Sequence, residues 1–279
     1  MLAPAAFATE VVVVQGAASQ VHREIEEGIN SVIKERTVAA TIGDVPSAYR
    51  RRPKLYIAIG PEALDAVKDL GVPVVFAMIL NPHTLKLDGR PITGIELYIS
   101  VEEQLTNLSA VLPKAKRVGI IYAPQSTGSL VKLIKEAAAA RGLTIVSRPV
   151  RSPDDAILAL NAMTGIDVFW MLPDPTVVTS EMVKHLLLWS LERKVPVFAL
   201  SEKYVKNGAL CALGVDPLSL GRQIGVLANR VLAGENTSSI PVEPIKNGTL
   251  YINAVVAERL GLKLPKSILD KAVLIEGRQ

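Results

Sequence analysis

The sequence predicts an α/β protein whose parallel sheets are divided between two similar lobes, and three observations carry that prediction. Short apolar runs that read as strands alternate with amphipathic segments that read as helices along the whole chain. That is the pattern of parallel sheets crossed by helices on both faces. The strand-like runs are built from Val, Ile, Leu and Ala with few polar interruptions, as strands buried on both faces are. The chain also repeats itself: LYIAIGPEAL leads to GVPVVFA much as VFWMLPDPTVV leads to KVPVFAL. Each is strand, proline-bearing turn, helix, and a V-P-V strand. Two such modules in a chain of 279 residues suit two lobes of ordinary size better than one large sheet.

Val11 to Gln15 reads as the first strand, and Ser19 as the N-cap of a helix predicted over Gln20–Arg36, with Val21, Ile25, Ile29 and Ile33 on one face. A short strand over Thr37–Ile42 and a loop from Gly43 to Pro53 follow. Lys54–Ile59 is the next strand. Gly60-Pro61 then opens a helix that ends at Gly71, with proline at its first position and glycine past its last. Val72–Ile79 is a buried strand leading into the polar loop Asn81-Pro82-His83, and Thr93–Leu97 a short extended piece. Ser100 and Glu103 form a capping-box pattern for a helix to Leu112.

Lys116–Tyr122 is a buried strand, with a loop from Ala123 to Gly128 and a helix from Ser129 to Arg141. Leu143–Val150 is a strand, and Ser152-Pro153-Asp154-Asp155 a helix start, acidic in its first turn. The run Val168-Phe169-Trp170-Met171-Leu172 stops abruptly at Pro173-Asp174-Pro175, so the chain must turn there. A helix over Ser180–Lys194, strands over Val195–Leu200 and Ala209–Leu213, and a long helix from Asp216-Pro217 to Gly234 complete the alternation. A late strand, Thr249–Ile252, and a last helix, Ala254–Leu260, end it.

Composition excludes several functions. Net charge is +4, and the basic cluster Arg50-Arg51-Arg52-Pro53-Lys54 has no aromatic platform beside it, so nucleic acid is not an expected partner. A single cysteine, Cys211 in ALCAL, rules out an intramolecular disulfide and reads as a buried small hydrophobe. No apolar run approaches the roughly 20 residues that span a bilayer. Residues 1–9, MLAPAAFAT, read as a signal-peptide remnant around an A-F-A cleavage site or as a disordered start. The first reading implies an exported, soluble, periplasmic protein without a lipobox cysteine. Phosphate-binding glycine loops, a nucleophile elbow and zinc-ligand spacings are all absent, and His22, His83 and His185 are scattered. No cofactor, metal or catalytic residue is assigned.

What remains is a set of small polar residues at predicted strand ends: Ser19, Gln20, Asn81, Ser126, Thr127, Gly128, Ser129, Asp174, Thr176, Ser201 and Asp216. Several also read as helix caps or turn formers. Collectively they fall where open α/β sheets bind ligands, outside the carboxyl ends of the strands. Pro124–Ser129 suits an anion such as a carboxylate at a helix start. Asp174, on its stiff turn, suits an ammonium or, alternatively, caps the helix that follows. Together they would suit an amino-acid zwitterion.

From Val72 onward the chain resembles a family of ABC-transporter substrate-binding proteins related to tryptophan- and tyrosine-binding lipoproteins. The pieces that carry the resemblance are VPVVFAMILNP, ITGIE, LPKAKRVGIIYAPQSTGS, VFWMLPDPTVV, KVPVFALSEKYVKNGALCALGVDPLSLGRQ, ANRVLAGENTSSIPVE and YINAVVAERLGLKLP. The resemblance implies the type I periplasmic-binding-protein fold, two Rossmann-like lobes joined by a three-crossing hinge. The first lobe would hold residues 10–97 and 216–238, and the second 98–215 and 239–279. It implies that Tyr122 to Ser129 and the turn with Asp174 hold the ligand's carboxylate and amine, with Ser19, Asn81, Ser201 and Asp216 lining the rest. The expected function is the solute-binding component of an ABC importer, taking an amino acid or similar small solute and serving an inner-membrane permease. A ligand-sensing or accessory module of the same fold is the alternative. An enzyme on doubly wound lobes is disfavoured by the lack of an acid–base pair.

Overall fold

The computed structural model describes residues 11–16, 19–80, 82, 85 and 89–275. The chain divides into two compact lobes, Met1–Ile99 with Asp216–Asn247, and Ser100–Val215 with Gly248–Gln279. The chain therefore passes between lobes three times.

In the first lobe, strands β1 (Val11–Gln15), β2 (Thr37–Thr41), β3 (Leu55–Ile59), β4 (Val74–Ile79), β5 (Ile92–Ile99) and β11 (Glu243–Ile245) form a six-stranded sheet in the order β11-β5-β4-β3-β1-β2. Every pairing in it is parallel. Val12 and Val14 of β1 face one side with Tyr56, Ala58, Val74 and Phe76. On that side the sheet meets α2 (Val45–Arg50) and α3 (Pro61–Val67), through Val45, Ala48, Leu64 and Val67. On the other side α9 (Pro217–Leu232) crosses β3, β4 and β5 and packs along α1 (Gln20–Asn30).

The α1–α9 contact has a backbone reason. Gly28 and Gly221 face one another, and a Cβ on Gly221 would lie 2.9 Å from Gly28 Cα and press on the Ile25 carbonyl. A Cβ on Gly225 would likewise lie 2.5 Å from Val32 Cγ2 and 3.0 Å from Ile29 O. The side-chain-free faces let two helix backbones touch, and Ile25, Ile29, Ile224 and Leu227 close around them.

The second lobe holds β6 (Arg117–Tyr122), β7 (Thr144–Pro149), β8 (Val168–Trp170), β9 (Val197–Ala199), β10 (Cys211–Val215), β12 (Gly248–Asn253) and β13 (Val273–Ile275) in the order β13-β12-β10-β9-β8-β6-β7. Its first five strands repeat the winding of the first lobe, with the opening strand between the second and the third. Among the described residues only the β10–β12 pairing is antiparallel. The repeated phrase in the sequence lands on equivalent positions: β3 and β4 in one sheet, β8 and β9 in the other. Trp170 Nε1 donates to Gln104 Oε1 at 3.2 Å, which fixes α4 (Val101–Val111) on its sheet.

Several boundaries differ from the sequence reading. The first helix stops at Asn30. The expected loop before Lys54 contains a 3-10 turn over Ile42–Asp44 and then α2, whose second residue is Pro46. The short extended piece expected over Thr93–Leu97 is a full interior strand, β5, of 8 residues. Residues 239–247 belong to the first sheet, because β11 pairs with β5 and is strapped to α9. Gln223 Nε2 donates to Pro244 O at 2.9 Å, and Arg230 Nη1 reaches Glu243 Oε1 at 3.0 Å. Residues 1–9 lie outside the described residues.

Replacing Gly221 with Ala should lower the urea midpoint of the first lobe by the equivalent of about 1–3 kcal/mol, the usual cost of overpacking. Gly128→Ala should do the reverse. It sits inside a helix with 3.9 Å of clearance to the nearest neighbour, so removing a helical glycine gains about 0.5–1 kcal/mol. Equilibrium unfolding of the two variants beside the parent checks both signs.

Candidate functional site

In each sheet the winding reverses direction once, between β1 and β3 in the first lobe and between β6 and β8 in the second. At such a switch point two loops leave the carboxyl edge in opposite directions and open a crevice. The expected residues distribute around these two points, on either lobe separately.

In the second lobe the helix after β6 starts earlier than expected. Helix α5 runs Pro124–Ala139, so Ser126, Thr127, Gly128 and Ser129 lie in its first turns and not in a loop. Proline at the first helical position set that start, although the Ser-Thr-Gly-Ser composition reads as a turn. Ser126 is half-buried, Thr127 buried and Ser129 exposed.

Asp174 is 0% exposed. Its Oδ2 accepts from the Ala123 amide at 2.7 Å and from Thr127 Oγ1 at 2.6 Å. Its Oδ1 accepts from the Thr176 amide at 3.0 Å. The turn after β8 is thereby tied to the start of α5 across the switch point. This recasts two expectations together. The anion socket at the start of α5 is filled by the chain's own carboxylate, and the acid expected to meet an ammonium already holds three protein donors. Neither does Asp174 cap the next helix, since Thr179 accepts from Met182 N and caps α7 (Ser180–Arg193).

Half-buried polar groups surround this clasp: Tyr122 at the end of β6, Thr176 on the turn, and Ser201 after β9. Ser201 precedes α8 (Glu202–Lys206), a short helix absent from the sequence reading, and its hydroxyl makes no capping bond. Asp216 caps α9, accepting from Leu218 N at 3.2 Å and Ser219 Oγ at 2.6 Å.

In the first lobe Ser19 caps α1 and accepts from the His22 amide at 3.2 Å. Gln20 is exposed and donates to Glu24. Asn81 lies outside the described residues. Two rim features went unnoticed in the sequence. Gln15, the last residue of β1, has its Oε1 buried without a hydrogen-bond partner. Met78, near the end of β4, adopts φ +62°, a left-handed conformation at a break in the β4–β5 register. Only the strand-end position of Gln15 was visible beforehand; nothing in the sequence marks Met78.

Cys211 is fully buried in β10, and desolvation pushes its thiol far above the ordinary range. A thiol so buried is out of reach of reagents in the surrounding water. A surface groove between α7 and α8, lined by Val183, Leu187, Leu191, Lys203 and Tyr204, lies on a helical flank and shares no residue with the expected set. Among the described residues no group of three or more His, Cys, Asp or Glu side chains could hold a metal ion, and no helix is long and apolar enough to cross a membrane.

Asp174→Ala strands three donors and should cost about 2–5 kcal/mol of stability. Thr127→Val should cost less, about 1–2 kcal/mol, and the double variant should fall short of the sum because both remove one contact. Denaturant midpoints of the four proteins measure that coupling. Cys211 should resist an aromatic disulfide reagent in the native protein and react stoichiometrically once guanidinium unfolds it.

Residues 22–275 match the family model described as ABC transporter substrate binding protein. A tyrosine-binding protein of Clostridioides difficile is 26% identical over 72% of this chain and 60% of its own length. An uncharacterized protein of Rickettsia prowazekii is 27% identical over 64% of this chain and 57% of its own. The chain thus spans less than two thirds of the length of these relatives. Among solved structures, a ligand-free, open substrate-binding protein with adhesive properties from Clostridium difficile superposes with TM-score 0.72 at 20% identity, over 97% of this chain and 100% of that one. A Streptococcus pneumonia ABC domain in complex with L-Trp gives 0.59 at 23%, over 96% and 99%. The two-lobed fold is that of periplasmic-binding-protein structures. With nearly its whole length matched, the chain belongs to the ABC transporter substrate-binding protein family.

Proposed function

We propose that this protein is the solute-binding component of an ABC importer, that its ligand is an amino acid with an aromatic side chain, and that the ligand is gripped between the carboxyl edges of the two sheets. Family membership supports the binding role, and the family is one of substrate-binding proteins and not of enzymes. The tyrosine-binding relative supports the ligand class. The observation that carries the reading is the row of half-buried hydroxyls, Tyr122, Ser126, Thr176 and Ser201, at the carboxyl edge of the second sheet. They stand around a turn made rigid by Asp174. Neutral donors held on a stiff rim recognise a polar ligand without a covalent step.

In this reading the ligand touches both lobes, so its binding energy favours the arrangement in which they close on it. A membrane permease then reads that arrangement. Asp174 acts by positioning the rim, while Tyr122, Ser126, Thr176 and Ser201 make the contacts.

L-tyrosine or L-tryptophan at a hundred times its Kd should stabilise the protein by about 2.7 kcal/mol. That is a rise in Tm of about 5–10 °C for lobes of this size. A thermal-shift screen of the twenty amino acids that moves nothing would rule out the amino-acid reading. Genes for a permease and an ATPase beside this one would support transport over sensing.

A further inference from the structure

The acid that the sequence offers to a ligand's ammonium, Asp174, is sealed, and the acceptor left standing is on the other lobe. Gln15 ends β1, the strand on one side of the first switch point. Its register partners are Thr41 on β2 and Ile59 on β3, and Ile59 in turn pairs with Ala77, the residue before Met78. Gln15 therefore ends an interior strand of the carboxyl edge, one place in from the margin strand β2. By strand alternation it follows Val11 and Val13, both 0% exposed, on the face opposite Val12 and Val14.

A fifth apolar residue there would continue VVVV and bury without loss. The chain instead places an amide whose oxygen is buried and has no donor among the described residues. Burying such a group unpaired costs about 1–3 kcal/mol. The residue as a whole is only half-buried and ends its strand at the carboxyl edge. An unpaired acceptor at a switch point is a group prepared for a donor that arrives with the ligand.

We infer that Gln15 is a ligand-recognising residue whose side-chain oxygen accepts a hydrogen bond from the ligand's ammonium group. The inference rests on the reading of this protein as an amino-acid binder, and it moves amine recognition from a carboxylate to a neutral amide. The first lobe then reads the amine through Gln15, while the second contributes hydroxyls on the rim that Asp174 holds.

Binding of L-tyrosine and of 3-(4-hydroxyphenyl)propionate, which lacks the amine, to the parent and to Gln15→Met by isothermal titration tests this as a cycle. Met keeps the length of the side chain and removes the acceptor. The expected result is a loss of about 10–100-fold in L-tyrosine affinity in Gln15→Met, the range for a hydrogen bond to a charged group. Affinity for the amine-free analogue should change less than threefold. The unliganded variant should melt at the same temperature as the parent or higher, because an unsatisfied buried acceptor has gone. Equal affinity for L-tyrosine in both proteins, equal losses for both ligands, or a lower unliganded Tm would each overturn the assignment. A parent protein that binds neither L-tyrosine nor L-tryptophan would instead overturn the amino-acid reading, and the role of Gln15 with it.

Discussion

The second lobe depends on one buried carboxylate that holds two loops at the point where its sheet reverses direction. Parallel strands deliver their connections to one edge, and at a switch point the two adjacent loops depart to opposite faces. Nothing in the ladder hydrogen bonds joins those loops. Asp174 does so, taking the Ala123 amide and the Thr127 hydroxyl on one side and the Thr176 amide on its own turn. A buried charge is tolerable only when its oxygens are supplied with donors. The start of α5 supplies them with a favourable dipole as well. Proline at the first helical position completes the arrangement: it has no amide to leave unsatisfied and starts the helix where the acid needs it.

The first lobe solves the neighbouring problem differently. Its return segment must be held against a helix that enters from the other lobe's last parallel strand. Glycines on α1 and α9 let the two backbones approach within contact distance. The gain is dispersion over two helix faces and not a polar clasp. The strap formed by Gln223, Arg230 and Glu243 then binds β11 to the same helix. Glu243 illustrates the balance: burial raises its pKa, and Lys246 with Arg230 more than offsets that, leaving it below the usual carboxylate value. One lobe is thus braced at its carboxyl edge by charge, the other along its flank by shape.

Much of this was legible in the sequence because strand burial and helix caps leave strong local marks. The V-P-V echo announced two equivalent modules, and the structure places them at equivalent sheet positions. Ser19, Ser100 and Asp216 cap the helices they precede. The failures share a cause. Whether Asp174 faces solvent or a neighbouring loop depends on a contact with Thr127, 47 residues away, and periodicity carries no information about such pairs. The start of α5 was hidden because Ser126, Thr127 and Gly128 have turn composition but pack as helix. Residues 239–247 were misplaced because β11 is only three residues long, too short for any alternation to declare its partner.

Gln15 shows why a polar residue in an apolar strand is informative in a way that caps are not. A cap is explained by its own helix: the hydroxyl of Ser19 has the His22 amide to accept from, and selection for folding alone would keep it. Gln15 Oε1 has no such account, since its burial opposes folding and it has no hydrogen-bond partner among the described residues. A fold would be stabler with valine there, as at the four preceding positions. Residues that lower the stability of the unliganded state are maintained by what happens outside it. Asp174 marks how the rim is built, whereas Gln15, by its unmet hydrogen bond, marks what the rim is for.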